Sequence, residues 1–143
     1  MTDETMRGFV RAFCDALSSH DPLLIDPWLD DDVDWTVFGP VDLFPFFGQR
    51  RGKAAVLWVL AEIGAALTLK RCDQDTVLID GPRTAALIKL TAESTRTGRT
   101  LSLRLALFAQ FRNKKLARLR VVFDTFDAAE QVLGREIDLG VAA

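Results

Sequence analysis

A chain of 143 residues, 49% of them hydrophobic, is one domain of ordinary size able to bury its own core. Its 18 basic and 20 acidic side chains leave a formal charge of −2, with the basic ones scattered over three turns, which excludes the electrostatic footprint of a nucleic-acid binder. The polar, acidic start MTDETMRGF lacks the basic and apolar regions of a signal peptide, and no apolar run approaches the roughly 20 residues of a membrane span, so a cytoplasmic protein with no membrane partner is expected.

The first helix is predicted over residues 4–18, where Met6, Phe9, Val10, Phe13, Cys14 and Leu17 recur at the helical period. Cys14 lies on that apolar stripe, and neither it nor Cys72 belongs to a CxxC pair or a metal-type spacing. Both are expected to be reduced thiols. Asp21-Pro22 reads as a helix start, an acceptor at the cap followed by a residue that needs no donor. Leu24, Ile25, Trp28 and Leu29 form the expected buried face of this short second helix. Asp30, Asp31 and Asp32 are expected to end it in a solvated turn.

Residues 33–38 alternate Val33, Trp35 and Val37 against Asp34 and Thr36, the pattern of a half-buried strand. Gly39-Pro40 stops it. The loop up to Arg51 carries Leu43, Phe44, Phe46 and Phe47, too apolar to be free, and residues 44–47 read as a lid or wall. A third helix over residues 52–64 turns Ala55, Val56, Val59, Leu60 and Ile63 inward.

The remainder is mostly strand. Residues 67–69 extend toward Cys72, and 76–79 meet 83–92 through the tight turn Asp80-Gly81-Pro82. After Thr97-Gly98-Arg99, the leucines 101, 103, 105 and 107 and Ala109 alternate with Ser102, Arg104, Ala106, Phe108 and Gln110, the clearest period-two run in the chain. Asn113-Lys114-Lys115 forms the last hairpin into residues 116–123. Asp127 starts a final short helix, 128–133, ended by Gly134. With no linker or repeat, residues 1–143 make a single α+β domain: a strongly curved, mostly antiparallel sheet wrapped as a cone around three N-terminal helices, with an interior pocket.

Ala16-Leu17 with His20-Asp21, Asp31-Asp32-Val33-Asp34-Trp35, Pro45-Phe46-Phe47-Gly48 with Gly52, Thr97-Gly98-Arg99, and Arg120-Val121-Val122-Phe123-Asp124 follow one another along the chain. In that order and spacing they resemble the SnoaL-like group of the nuclear transport factor 2-like superfamily, relatives of ketosteroid isomerase, polyketide cyclases and limonene epoxide hydrolase. The resemblance spans about residues 6–132. It implies a cone-shaped fold, a hydrophobic pocket holding a small hydrophobic organic ligand, and a homodimer formed through the sheet.

The catalytic residues implied by the resemblance are missing. Where ketosteroid isomerase has its tyrosine, its aspartate base and its second oxyanion donor, this chain carries Phe13, Val37 and Leu107, and it has no tyrosine at all. Hydrocarbon groups neither move a proton nor stabilise an oxyanion. The water-activating residues of limonene epoxide hydrolase fall on Val121, Val37 and Trp35, and its middle-strand arginine and aspartate near Lys89 and Thr91. Neither activity is expected by the known mechanism.

The pocket is expected to be lined by Phe9, Phe13, Trp35, Val37, Phe47, Leu105, Leu107 and Val121. The candidates for chemistry are Trp35, whose indole donates one hydrogen bond, Asp124, Lys89 and Glu93. The alternation of Ala86, Ile88, Leu90 and Ala92 puts Lys89, Thr91 and Glu93 on the opposite face, while the resemblance points them inward; the cost of burying unpaired charge favours the outer placement. His20, the lone histidine, reads as a surface residue. No His, Cys, Asp or Glu cluster has metal-ligand spacing, and the Gly48–Gly52 loop lacks the Lys and Ser/Thr of a phosphate loop, so no metal and no cofactor are expected. Two readings follow. One is a small-molecule binder, an isomerase, cyclase or dehydratase if catalytic. The other is a non-catalytic dimeric scaffold or interaction module whose pocket is filled by its own side chains.

Overall fold

The computed structural model describes residues 3–39, 46–123 and residue 131. Helix α1 (Asp3–Ser18) is followed by a short 3₁₀ helix (Pro22–Trp28), strand β1 (Leu29–Val37), β2 (Gly48–Arg51), α2 (Lys53–Ala66), β3 (Leu67–Asp80), β4 (Arg83–Ser94), β5 (Thr100–Arg112) and β6 (Lys115–Phe123). The strands form one sheet in the order β2-β1-β6-β5-β4-β3. Among the described residues only β1 and β6 run parallel; the other pairs are antiparallel. This is the expected α+β plan, with the sheet curled over the helices and open at its β2 and β3 edges. No helix among the described residues is long and apolar enough to cross a membrane.

Helix α1 buries Met6, Phe9, Val10 and Leu17 against the inner sheet face. Phe9 meets Phe111 of β5 edge-on at 5.8 Å, a favourable aromatic geometry. The Asp21 carboxylate accepts from the Leu23 N–H at 3.2 Å, capping the 3₁₀ helix as its sequence suggests. The expected burial of Leu24 is not found; it is 43% exposed. A 3₁₀ helix has three residues per turn, so Pro22, Ile25 and Trp28 share the inner row and Leu24 rotates out.

Three further expectations are corrected. Asp30, Asp31 and Asp32 lie within β1, because that strand starts at Leu29. Residues 48–51 form edge strand β2, pairing with residues 34–37 of β1. Four polar or small residues carry no alternation, so that strand exists through its partner alone. The residues 67–69 and 76–79 belong to a single strand, β3, irregular between Leu69 and Arg71 and again between Gln74 and Thr76. Such bulges bend a strand and help curl the sheet. They also blunt a long open edge, as do the charges of Lys70, Arg71, Asp73 and Asp75.

The cysteines are also corrected. Cys14 on α1 and Cys72 on β3 are paired as a disulfide, with Cα atoms 6.5 Å apart. They lie 58 positions apart, and only the packing of α1 across β3 reveals them as neighbours. The final helix expected at residues 128–133 lies outside the described residues apart from Gln131. The Gln131 side chain exchanges two hydrogen bonds with the Ser102 backbone, at 2.8 and 3.0 Å, pairing with β5 as another strand residue would.

Gly8 tests the packing of α1 on the 3₁₀ helix. A Cβ there would overlap the Trp28 ring. Helix propensity alone makes Gly8→Ala stabilising by about 1 kcal/mol, whereas overpacking costs roughly 1–3 kcal/mol. Denaturant unfolding is expected to show Gly8→Ala less stable than the parent; a gain in stability would contradict this packing.

Candidate functional site

The inner faces of β4 and β5 are set by register. Ile88 pairs with Leu105, Leu90 with Leu103 and Ala86 with Leu107, all on the helix side. Trp35 and Val37 of β1 and Val121 of β6 continue this surface, while Phe9, Phe13 and Leu17 of α1, Ile63 of α2 and the pair Phe46 and Phe47 close it. Together they surround an interior hollow of about 90 Å³. That is room for several waters, but less than the 300 Å³ or so at which ligand pockets usually begin.

All eight residues expected to line the interior face this hollow. Aromatic rings make much of the wall. Phe13 stands 6.2 Å from Trp35 between ring centres, and Phe46 and Phe47 meet perpendicularly at 5.3 Å. A Cβ on Gly39 would overlap the Phe47 ring, so the glycine lets that ring lie against the end of β1. Phe13, Val37, Leu107 and Val121, where the resemblance leads one to look for acids and hydroxyls, all lie on this wall.

Trp35 is 1% exposed, and its indole N–H has no hydrogen-bond partner among the described residues. Lys89 and Glu93 are exposed on the outer face, opposite the hollow, so neither reaches it as an acid or base. The strand alternation rather than the family correspondence is followed here, since Ile88, Leu90 and Ala92 occupy the inner face. Asp124, and Phe44 of the expected lid, lie outside the described residues. Among the described residues no titratable side chain lines the hollow. His20 is exposed and is not among the lining residues; it pairs through Nδ1 with the Gly64 carbonyl at 2.9 Å and through Nε2 with the Thr68 hydroxyl at 3.4 Å.

The acids of β1 serve the opposite face. Arg120 donates to Asp34 at 3.0 Å and Gln49 donates to it at 3.2 Å, while Arg51 stands at 3.7 Å. The Arg120 hydrogen bond is the chief cause holding the Asp34 carboxyl below its ordinary value; partial burial opposes it, and Gln49 and Arg51 assist. Arg112 binds Asp30 through two nitrogens, at 3.0 and 3.2 Å. The Asp30 carboxyl is lowered first by the Asp32 backbone N–H and then by Arg112. These pairs join β1 to β2, β5 and β6 across the sheet. The alternation identified Asp34 as outward-facing, but its arginine partner 86 positions away left no local signal.

A family profile for the SnoaL-like domain matches residues 10–119, and the chain belongs to that family. No curated protein sequence matches it. Among solved structures, a Rhodopseudomonas palustris protein provisionally named an isomerase is 40% identical over 94% of this chain and 100% of its own, with a TM-score of 0.88. TerC, co-crystallised with polyporic acid, is 21% identical over 90% of this chain and 98% of its own, with a TM-score of 0.77. An epoxide hydrolase of M. tuberculosis, described as LEH-like, is 19% identical over 93% of this chain and 92% of its own, at a TM-score of 0.71. The last two establish likeness of fold alone.

The Asp34 cluster gives a pH prediction. A carboxyl depressed below the unfolded value of about 3.9 adds stability in full above that value and loses it as pH falls through the folded one. Asp34→Asn is therefore expected to be less stable near neutrality, by roughly 1–3 kcal/mol for hydrogen bonds to a charged group. The deficit should narrow below about pH 4. Unfolding titrations across that range check this, and a deficit independent of pH would contradict it.

Proposed function

We propose that the chain binds a small, neutral, largely apolar organic molecule inside the cone. The observation that carries this reading is a hollow whose lining side chains, among the described residues, are all hydrocarbon except for the Trp35 indole. Such a wall favours ring compounds through apolar area, at about 25 cal/mol per Å² buried, and disfavours charged ones. Support comes also from TerC, a fold relative crystallised with polyporic acid, and from the provisional isomerase name of the 40% identical protein. If the chain is catalytic, the chemistry is proton transfer in an isomerase, cyclase or dehydratase. Since no described side chain on the wall can act as a base, that chemistry would need a group from outside the described residues, and Asp124 is the candidate.

The size of the hollow favours a second reading, a non-catalytic module whose centre is largely filled by its own side chains. Ala92 separates the two. It lines the hollow and is 2% exposed, so Ala92→Phe fills the space. The first reading expects a panel of small ring compounds to raise the unfolding temperature of the parent, a ligand at 100 times its Kd adding about 2.7 kcal/mol, and Ala92→Phe to abolish the response. A parent that responds to none of them supports the filled module.

Homodimerisation through the outer sheet face belongs to the same proposal. Leu87 of β4 pairs with Ala106 of β5, which pairs with Val122 of β6, and Phe108, 51% exposed, lies in the next row. Contiguous exposed apolar side chains of this kind mark contact surfaces. The flanking charges are of both signs, Lys89 and Arg104 beside Asp73, so the patch is compatible with a two-fold copy of itself. Sedimentation is expected to give a dimer for the parent and a monomer for Phe108→Arg; a monomeric parent would contradict it.

A further inference from the structure

We infer that the Cys14–Cys72 disulfide is a thiol-sensitive clamp on the hollow: intact, it holds the wall closed, and its reduction lets the wall part to admit a larger apolar occupant. The inference rests on the ligand-binding reading above and adds to it the regulation of the same site. The bond joins α1 to β3, with the two Cα atoms 6.5 Å apart. Both elements build the wall, α1 through Phe9, Phe13 and Leu17 and β3 through Leu67 and Leu69. Cys14 directly follows Phe13, and Cys72 lies a few positions beyond Leu69. The bond therefore fixes how far that helix stands from that strand.

The hollow of about 90 Å³ is smaller than most ligand pockets, so a compound larger than it enters only when wall elements separate. Strand β3 is the element best placed to give way. It is an open edge of the sheet, hydrogen-bonded to β4, and its pairing is irregular on both sides of Cys72, between Leu69 and Arg71 and between Gln74 and Thr76. The tie from α1 is made in the stretch between these bulges. While it is intact the parted state is rare, and affinity falls in proportion to that rarity. The fold does not need the bond as a staple, because a chain of 143 residues, 49% of them hydrophobic, buries a core of its own. Neither cysteine is fully buried, and the β3 edge is the side from which a small dithiol approaches. One thiolate of the dithiol attacks a sulfur of the bond, which breaks and releases the other cysteine as a thiolate. The second donor thiolate then displaces the first cysteine, and the donor leaves as its own disulfide. The two electrons come from the donor, and both cysteines end as thiols on taking up the two protons its thiols gave.

The test compares the parent treated with oxidised glutathione, the parent in dithiothreitol, and the double variant Cys14→Ala with Cys72→Ala. Thiol titration of the oxidised parent after denaturation is expected to find no free thiol. Cooperative thermal unfolding is expected to persist on reduction, at a lower midpoint. 1-Aminoanthracene, a neutral fused-ring fluorophore larger than the hollow, is then titrated into each form by fluorescence. The expected result is binding about tenfold tighter to the reduced parent and to the alanine variant than to the oxidised parent, with dithiothreitol changing nothing in the alanine variant. If that variant fails to fold, the two redox states of the parent decide alone. Equal affinity in both redox states overturns this inference and leaves the ligand-binding reading intact. Free thiols in the oxidised parent do the same, and so does loss of cooperative unfolding on reduction, which would make the bond a staple. Failure of every form to bind 1-aminoanthracene, while smaller ring compounds still raise the unfolding temperature, overturns this inference alone. Failure of the smaller compounds as well removes the ligand-binding reading, and this inference with it.

Discussion

The pairing of β4 with β5 is the constraint on which the rest of the molecule depends. Ala86, Ile88 and Leu90 oppose Leu107, Leu105 and Leu103 on one face, while Leu87 and Lys89 oppose Ala106 and Arg104 on the other. Side chains alternate with a period of two, so a slip of one residue would turn either Lys89 or Arg104, whichever strand inverted, into the interior. The penalty for burying an unpaired cation helps to fix the register. Once it is fixed, the apolar face has to be covered, and α1 and α2 cover it. The curl of the sheet keeps those helices from filling the space completely, and the hollow is what remains.

The division of labour between the two faces follows. Inside, the described residues present hydrocarbon and aromatic surface to the hollow. Outside, carboxylates and guanidinium groups join the strands. The Asp34–Arg120 pair spans β1 and β6, a parallel pair, where a sequence-distant crossover has to be held in register. The charges of β1 therefore join the strands on the outer face, away from the hollow. A family fold that elsewhere hosts different chemistries is here lined with groups that exclude charge rather than move protons.

Much of this was legible in the residues. The alternation of Leu101 to Ala109 assigned an inner and an outer face, and that of Ala86, Ile88, Leu90 and Ala92 placed Lys89 and Glu93 outward against the indication of the family resemblance. The helical period of Met6, Phe9, Val10 and Leu17 identified the helix face that meets the sheet. What escaped depends on tertiary neighbours. Strand β2 has no pattern of its own and exists because β1 offers it hydrogen bonds. Asp30 to Asp32 looked like a turn because three acids in a row usually are one, yet Arg112 makes strand geometry acceptable for Asp30. Leu24 was assigned inward on a period of 3.6, whereas the helix there has a period of three. Cys14 and Cys72 carry no local sign of each other. The Trp35 N–H was visible only as a capacity; that it has no partner among the described residues is a property of the packing.

The central claim is that the middle of the cone is an apolar hollow open to a hydrophobic guest. Diffraction from a crystal pressurised with xenon tests it most directly, since an apolar cavity takes up xenon where a polar one holds water. The account predicts a xenon site among Phe13, Trp35, Leu105 and Val121. Ordered waters hydrogen-bonded to acidic or basic side chains at that place, or continuous side-chain density with no xenon, would contradict it.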